Sequence, residues 1–105
     1  MAPTSHEHNL DYFGKDIDIK AGIDSWQECA EQCSVYPRCT HWTYHDATTP
    51  FYKIRNACFL KTSEGTRKPC SYCVSGKLTG MISSISKIFK FNLYLTRNNV
   101  MFILR

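Results

Sequence analysis

The stretch SWQECAEQCSVYPRC, from Ser25 to Cys39, decides how this chain folds, because it places three cysteines in one helix-like run that ends at a proline. Ser25 and Glu28 have the spacing of a capping box, which marks the first turn of a helix. Pro37 disfavours helical backbone in the residue before it, so we expect the helix to end there. The side chains that recur at helical spacing form one buried stripe: Trp26, Cys29, Ala30 and Cys33.

Short β-forming segments surround this helix. The segment NLDYFGKDIDI (residues 9–19) indicates two strand pieces with a turn at Gly14. After the helix, THWTYH (40–45) and ACFLKT (57–62) read as strands, SEGTRKP (63–69) as a loop and CVSGKLTG (73–80) as a last strand. Trp42 and Tyr44 would share one face of their strand, with His41 and His45 on an exposed-looking opposite face. The pattern predicts an α+β fold with an antiparallel sheet.

The composition indicates one small domain that needs covalent staples, since six cysteines fall within 105 residues. The net charge of +4 does not belong to the predicted domain. Residues 1–80 hold nine basic and nine acidic residues, and the four remaining basic residues all lie in residues 81–105. A nucleic-acid-binding domain would carry its positive charge on the folded body, so we expect no nucleic-acid partner.

The chain divides into three parts by character. Residues 1–8 are polar and predict a disordered leader, residues 9–80 form the domain, and residues 81–105 read as a basic–hydrophobic tail outside it. The longest apolar run, Val100–Leu104, is far too short to span a membrane. No secretory signal is visible. A cysteine-dense domain without one predicts a fragment of a larger extracellular protein or an imperfect gene model.

The residues alone leave three chemistries open for the cysteines, with disulfides favoured. Cys29 and Cys33 lie one helical turn apart and could reach strands packed on that face. Cys70 and Cys73 have the spacing of half a zinc site, for which His41 and His45 are candidate ligands. The same C-x-x-C occurs in thiol oxidoreductases, but there it opens a helix, whereas strand-like sequence follows it here.

The spacing C-x3-C-x5-C-x18-C, which begins at Cys29, resembles the apple/PAN family, named for plasminogen, apple and nematode proteins. The supporting pieces are DYFGKDI, SWQECAEQC, CTHWTYH, CFLKTS and CVSG, and together they cover about residues 9–80. The resemblance implies a curved antiparallel sheet packed around one helix and two core bridges, Cys29–Cys58 and Cys33–Cys39. Full apple domains tie their two ends with a third bridge, which cannot form here because no cysteine precedes Cys29. Cys70 and Cys73 are left to pair with each other or with another chain.

This resemblance implies a non-catalytic extracellular recognition module that binds protein or carbohydrate ligands. Such modules occur in tandem in secreted adhesins and protease zymogens. The alternatives are an accessory apple domain of a secreted serine protease and a zinc-binding domain. No cofactor is expected, and the favoured prediction includes no metal. The candidate ligand contacts are Tyr52, Lys53 and Arg55, in a loop that mixes an aromatic residue with bases, together with His45.

Overall fold

The computed structural model describes residues 3–79, so residues 1–2 and residues 80–105, which include the predicted tail 81–105, lie outside the described part of the chain. Residues 3–79 form five strands and one α-helix: β1 (Thr4–Phe13), β2 (Asp16–Lys20), α1 (Trp26–Val35), β3 (His41–His45), β4 (Ala57–Lys61) and β5 (Thr66–Leu78). The strands make one antiparallel sheet in the order β1-β5-β3-β4-β2. Helix α1 packs on the central strands β3, β4 and β5. The predicted α+β fold is confirmed.

Local capping signals set both ends of α1. The Ser25 side chain accepts a hydrogen bond from the Glu28 backbone N–H at 3.1 Å, as the capping box predicts. The Glu28 side chain reaches one residue further back than the standard box and accepts from the Asp24 N–H at 3.1 Å. At the other end, Tyr36 adopts extended backbone before Pro37 and donates its N–H to the Cys33 carbonyl.

The core lies between α1 and the inner face of the sheet. Trp42 and Tyr44 of β3 and Leu60 of β4 point towards the helix and are buried. The Tyr44 hydroxyl donates to the Ile23 carbonyl at 2.6 Å, which satisfies a polar atom that burial would otherwise leave without a partner. At Gly76 of β5, any Cβ would meet the Trp42 ring and backbone of β1. A glycine is therefore required for the Trp42 ring to lie against β5.

Two segments that the sequence predicted as irregular belong to strands. Residues Thr4–His8, predicted as part of a disordered leader, pair with residues 74–78 of β5, so that prediction is wrong for them. Residues 66–69, predicted as a loop, are the first part of β5. Backbone pairing overrides the polar composition in both cases. The Trp42 indole N–H adds a contact by donating to the Thr4 hydroxyl at 3.0 Å.

A large bulge interrupts the pairing of β1 with β5. His8 pairs with Val74 and Leu10 pairs with Pro69, so the single residue Asn9 of β1 lies opposite four residues of β5, 70–73. Asn9 takes left-handed backbone at φ 62°, and the extra residues of β5 are closed by the Cys70–Cys73 disulfide. Beyond the bulge, the Tyr12 N–H lies 3.2 Å from the hydroxyl oxygens of Thr43 and Ser75. The second half of β1 thus covers part of the sheet face opposite α1.

Candidate ligand-binding groove

A groove opens on the sheet face opposite α1, between the β1–β2 turn and the loop of residues 46–56. Its cavity volume is about 250 Å³. Phe13, Phe51, Phe59 and Tyr72 supply its aromatic surfaces, from four different parts of the chain. Phe13 and Phe51 are 54% and 61% exposed. Large apolar side chains left open to water beside a concave surface are typical of a binding site.

An ion pair with a buried ammonium forms part of the groove lining. The Lys61 side chain is only 2% exposed, and its ammonium pairs with the Asp16 carboxylate, which is 39% exposed. The same ammonium donates to the Gly14 carbonyl at 3.1 Å. A buried charge is tolerated when it is paired and hydrogen-bonded, so the β1–β2 turn compensates the charge of Lys61. This pair connects the turn to β4.

His45 lies in the wall of the groove between two aromatic rings. Its ring centroid is 4.8 Å from that of Phe59 and 5.8 Å from that of Tyr72. Burial lowers the pKa of His45 below its ordinary value, because the charged imidazolium would lose its hydration. The prediction that His45 lies on an exposed face is wrong: its exposure is 8%. Among residues 3–79 its Nδ1 finds no hydrogen-bond partner.

The loop of residues 46–56 is held in place by its own hydrogen bonds. The Asp46 carboxylate accepts from the Thr48 N–H at 2.8 Å, an Asx-type turn. Thr49 is fully buried and donates its hydroxyl to the Asp46 carbonyl at 2.7 Å. Arg55 then donates Nε–H to the Thr49 carbonyl at 2.5 Å. These bonds, together with the Ile54 N–H donating to the Phe51 carbonyl at 2.9 Å, hold the backbone of the loop that carries Phe51, which lowers the entropic cost of binding.

The four residues predicted as ligand contacts do not form one cluster. Tyr52 and Lys53 lie exposed on a one-turn 3-10 helix, and Arg55 turns back onto its own loop. The groove is lined instead by their neighbours Phe51 and Ile54, together with His45. Phe51 is an aromatic residue in the same predicted loop, so the sequence could have indicated it as a ligand contact. No local pattern indicates that residues 13, 59 and 72 lie in the same groove as Phe51.

Three disulfides join the six cysteines, all of which fall within the described residues. Cys29–Cys58 links α1 to β4, and Cys33–Cys39 closes the end of the helix. These are the two bridges that the family resemblance implies. Cys70–Cys73 lies within β5 rather than at a helix N-terminus, where thiol oxidoreductases place a C-x-x-C motif.

Comparison with protein families finds a match to the PAN domain model over residues 10–61. This chain carries a PAN domain. The match runs from β1 through β4, so it includes the helix, both of its bridges and most of the groove, whereas β5 follows it. PAN domains generally mediate interactions with proteins or carbohydrates and occur in extracellular proteins. A comparison with curated proteins finds no match.

The PAN domain contains no helix with the length and apolar character needed to cross a bilayer, as far as residues 3–79 show.

Proposed function

We propose that this PAN domain is a non-catalytic recognition module of an extracellular protein and that it binds its ligand in the groove opposite α1. The observation that carries the proposal is the combination of exposed aromatic rings, Phe13 and Phe51, with a fixed concave surface. The proposal applies equally to a domain of an adhesin and to an accessory domain of a secreted protease, because both use such a domain for binding.

The groove favours a saccharide among the two ligand classes that PAN domains recognise. A sugar ring presents an apolar C–H face and several hydroxyl donors. Phe51 and Tyr72 offer aromatic surfaces for that face, and the carboxylates of Asp11 and Asp16 offer acceptors for the hydroxyls. The volume of about 250 Å³ suits a single sugar ring rather than a long ligand.

Tyr52, Lys53 and Arg55 extend this proposed surface. Tyr52 is 72% exposed and directly follows Phe51, so a ligand that leaves the groove along this loop would meet its ring. Lys53 lies next on the same exposed turn. In this proposal Arg55 acts chiefly by holding the loop, and His45 forms part of the groove wall.

An array experiment tests the proposal. The full chain, made in an oxidising host, is applied to glycans and in parallel to immobilised extracellular proteins. Phe51→Ala is compared with Val35→Ala, because Val35 is similarly exposed at 57% but lies on the helix. We expect retention on glycans, weakened at least about tenfold by Phe51→Ala, which is ~1.4 kcal/mol, and unchanged by Val35→Ala.

The outcomes separate the ligand classes. Retention on proteins alone, with the same sensitivity to Phe51→Ala, would assign the groove to a peptide segment and overturn the saccharide preference. Equal binding by both variants would show that the ligand lies elsewhere on the domain.

A further inference from the structure

One residue of the groove wall, His45, belongs to a cluster of chemically reactive side chains that extends beyond the groove lining. His45, Cys70 and Cys73 each present a ligand atom, and these three atoms lie within 4.8 Å of one another. In the structure the two sulfurs are joined as a disulfide. The imidazole beside them is 8% exposed, and its Nδ1 lacks a hydrogen-bond partner within residues 3–79. A buried polar atom without a partner is costly and calls for an explanation.

The backbone register fixes this cluster. His45 of β3 is paired directly with Cys73 of β5, and side chains at paired positions of antiparallel strands lie side by side on one face. Cys70 is brought to the same place by the bulge, which turns the chain back before residue 73. The register therefore keeps His45 and Cys73 side by side in either redox state, and Cys70, three residues away in the same bulge, remains within reach of them.

We propose that the reduced form of this cluster is a binding site for a thiophilic divalent cation, with two thiolates and one imidazole as its protein ligands. Two sulfurs and one nitrogen are a donor set that zinc accepts, with water in the fourth tetrahedral position. Ideal ligand atoms in such a site lie roughly 3.5–3.8 Å apart. The two sulfurs, 2.02 Å apart as a disulfide, must therefore separate by about 1.7 Å after reduction, and a ligand atom at the 4.8 Å limit must move closer by about 1 Å. Metal coordination would also give a partner to the His45 imidazole, whose Nδ1 has no hydrogen-bond partner within residues 3–79 of the oxidised form.

The chemistry balances with an external dithiol as reductant. The dithiol gives two electrons and two protons to the Cys70–Cys73 bond and becomes a disulfide itself. Binding of the cation then displaces the two thiol protons to solvent. Cys70 as a residue is partly exposed, although its sulfur lies in a buried cluster, whereas all four cysteines of the other two bridges are fully buried. Limited reduction is therefore expected to open Cys70–Cys73 first.

The test uses the full oxidised chain and Co²⁺ as the probe. After limited reduction by a dithiol and its removal, peptide mapping should locate the free thiols at Cys70 and Cys73. Co²⁺ should then bind at one equivalent with a thiolate-to-cobalt charge-transfer band, and X-ray absorption should show two sulfur ligands and one imidazole nitrogen. Unreduced protein should show no such band.

A matched pair of variants identifies the nitrogen ligand. His45→Asn should weaken Co²⁺ binding at least about tenfold, since even outer-shell partners of metal ligands cost 10–100-fold. His41→Asn changes a histidine on the same strand and face, outside the cluster, and should bind as wild type. The variants are compared only after mapping shows that Cys29–Cys58 and Cys33–Cys39 remain intact in both.

Three results would overturn the proposal: earlier opening of another bridge, no thiolate–cobalt band in the reduced protein, or equal Co²⁺ affinity in the two variants. The inference does not depend on the proposed ligand of the groove. Loss of glycan retention in Phe51→Ala and loss of cobalt in His45→Asn are separate readouts, so either proposal can fail alone.

Discussion

The ion pair between the buried Lys61 ammonium and the exposed Asp16 carboxylate should respond very differently to removal of its two partners. Asp16→Asn removes the negative charge that faces the Lys61 ammonium, 2% exposed, and leaves it the Gly14 carbonyl and a neutral amide oxygen as acceptors. Removing one partner of a buried pair costs 3–5 kcal/mol, and we expect about 3 kcal/mol because this carboxylate is partly hydrated. Lys61→Met instead removes the buried charge and leaves Asp16, 39% exposed, to water. Its expected cost is about 1 kcal/mol or less.

Urea and thermal unfolding of both variants and of the double variant measure this asymmetry. For a domain of this size, 3 kcal/mol corresponds to roughly 12–24 °C in Tm. The double variant should resemble Lys61→Met, since no charge is then left buried. If Lys61→Met were as destabilising as Asp16→Asn, the cost of stranding a buried ammonium would not be the governing term, and the reasoning would be refuted.

Three other perturbations follow from the fold. Replacing the Cys29–Cys58 bridge by alanines should lower the free energy of unfolding in urea by about 3–4 kcal/mol, and replacing Cys33–Cys39 should lower it by about 2–3 kcal/mol. The difference arises because the two bridges close chain segments with sequence separations of 29 and 6 residues. The reverse order would contradict the loop-entropy reasoning. Gly76→Ala should lower Tm by about 4 °C or more, since its Cβ meets the Trp42 ring, and an unchanged Tm would show that β5 can move aside. Because the pKa of His45 is lowered in the folded state, its contribution to stability is present above about pH 6.5 and is lost as pH falls towards the folded pKa. Between about pH 7 and pH 5, the free energy of unfolding should therefore fall less in His45→Asn than in the wild type. Equal losses in the two proteins would exclude His45 as the cause.

The helix and its packing face could be predicted because their signals are local. Ser25 and Glu28 mark the first turn, Pro37 marks the exit, and the cysteine stripe indicates the buried side. Alternation in β3 likewise assigned Trp42 to the core correctly. These features depend on residues within a few positions of one another, which is the range that spacing rules describe.

The groove could not be predicted because it depends on contacts between distant residues. His45 is buried because the second half of β1 and the 46–56 loop lie over its face of the sheet. Thr4–His8 carries no strand pattern of its own and becomes a strand by pairing with β5. A loop rule selected Tyr52, whereas the neighbouring Phe51 turned out to line the groove. Pairing register and bulges, which place these residues, are not encoded in local composition.

The binding role of the groove is tested most directly by a two-dimensional amide NMR titration of the oxidised chain with the ligand that the array retains. The proposal predicts that the largest shifts fall on Phe51, Tyr72 and His45, with the helix residue Val35 unchanged. Shifts confined to α1, or to the outer edge of β2, would contradict it.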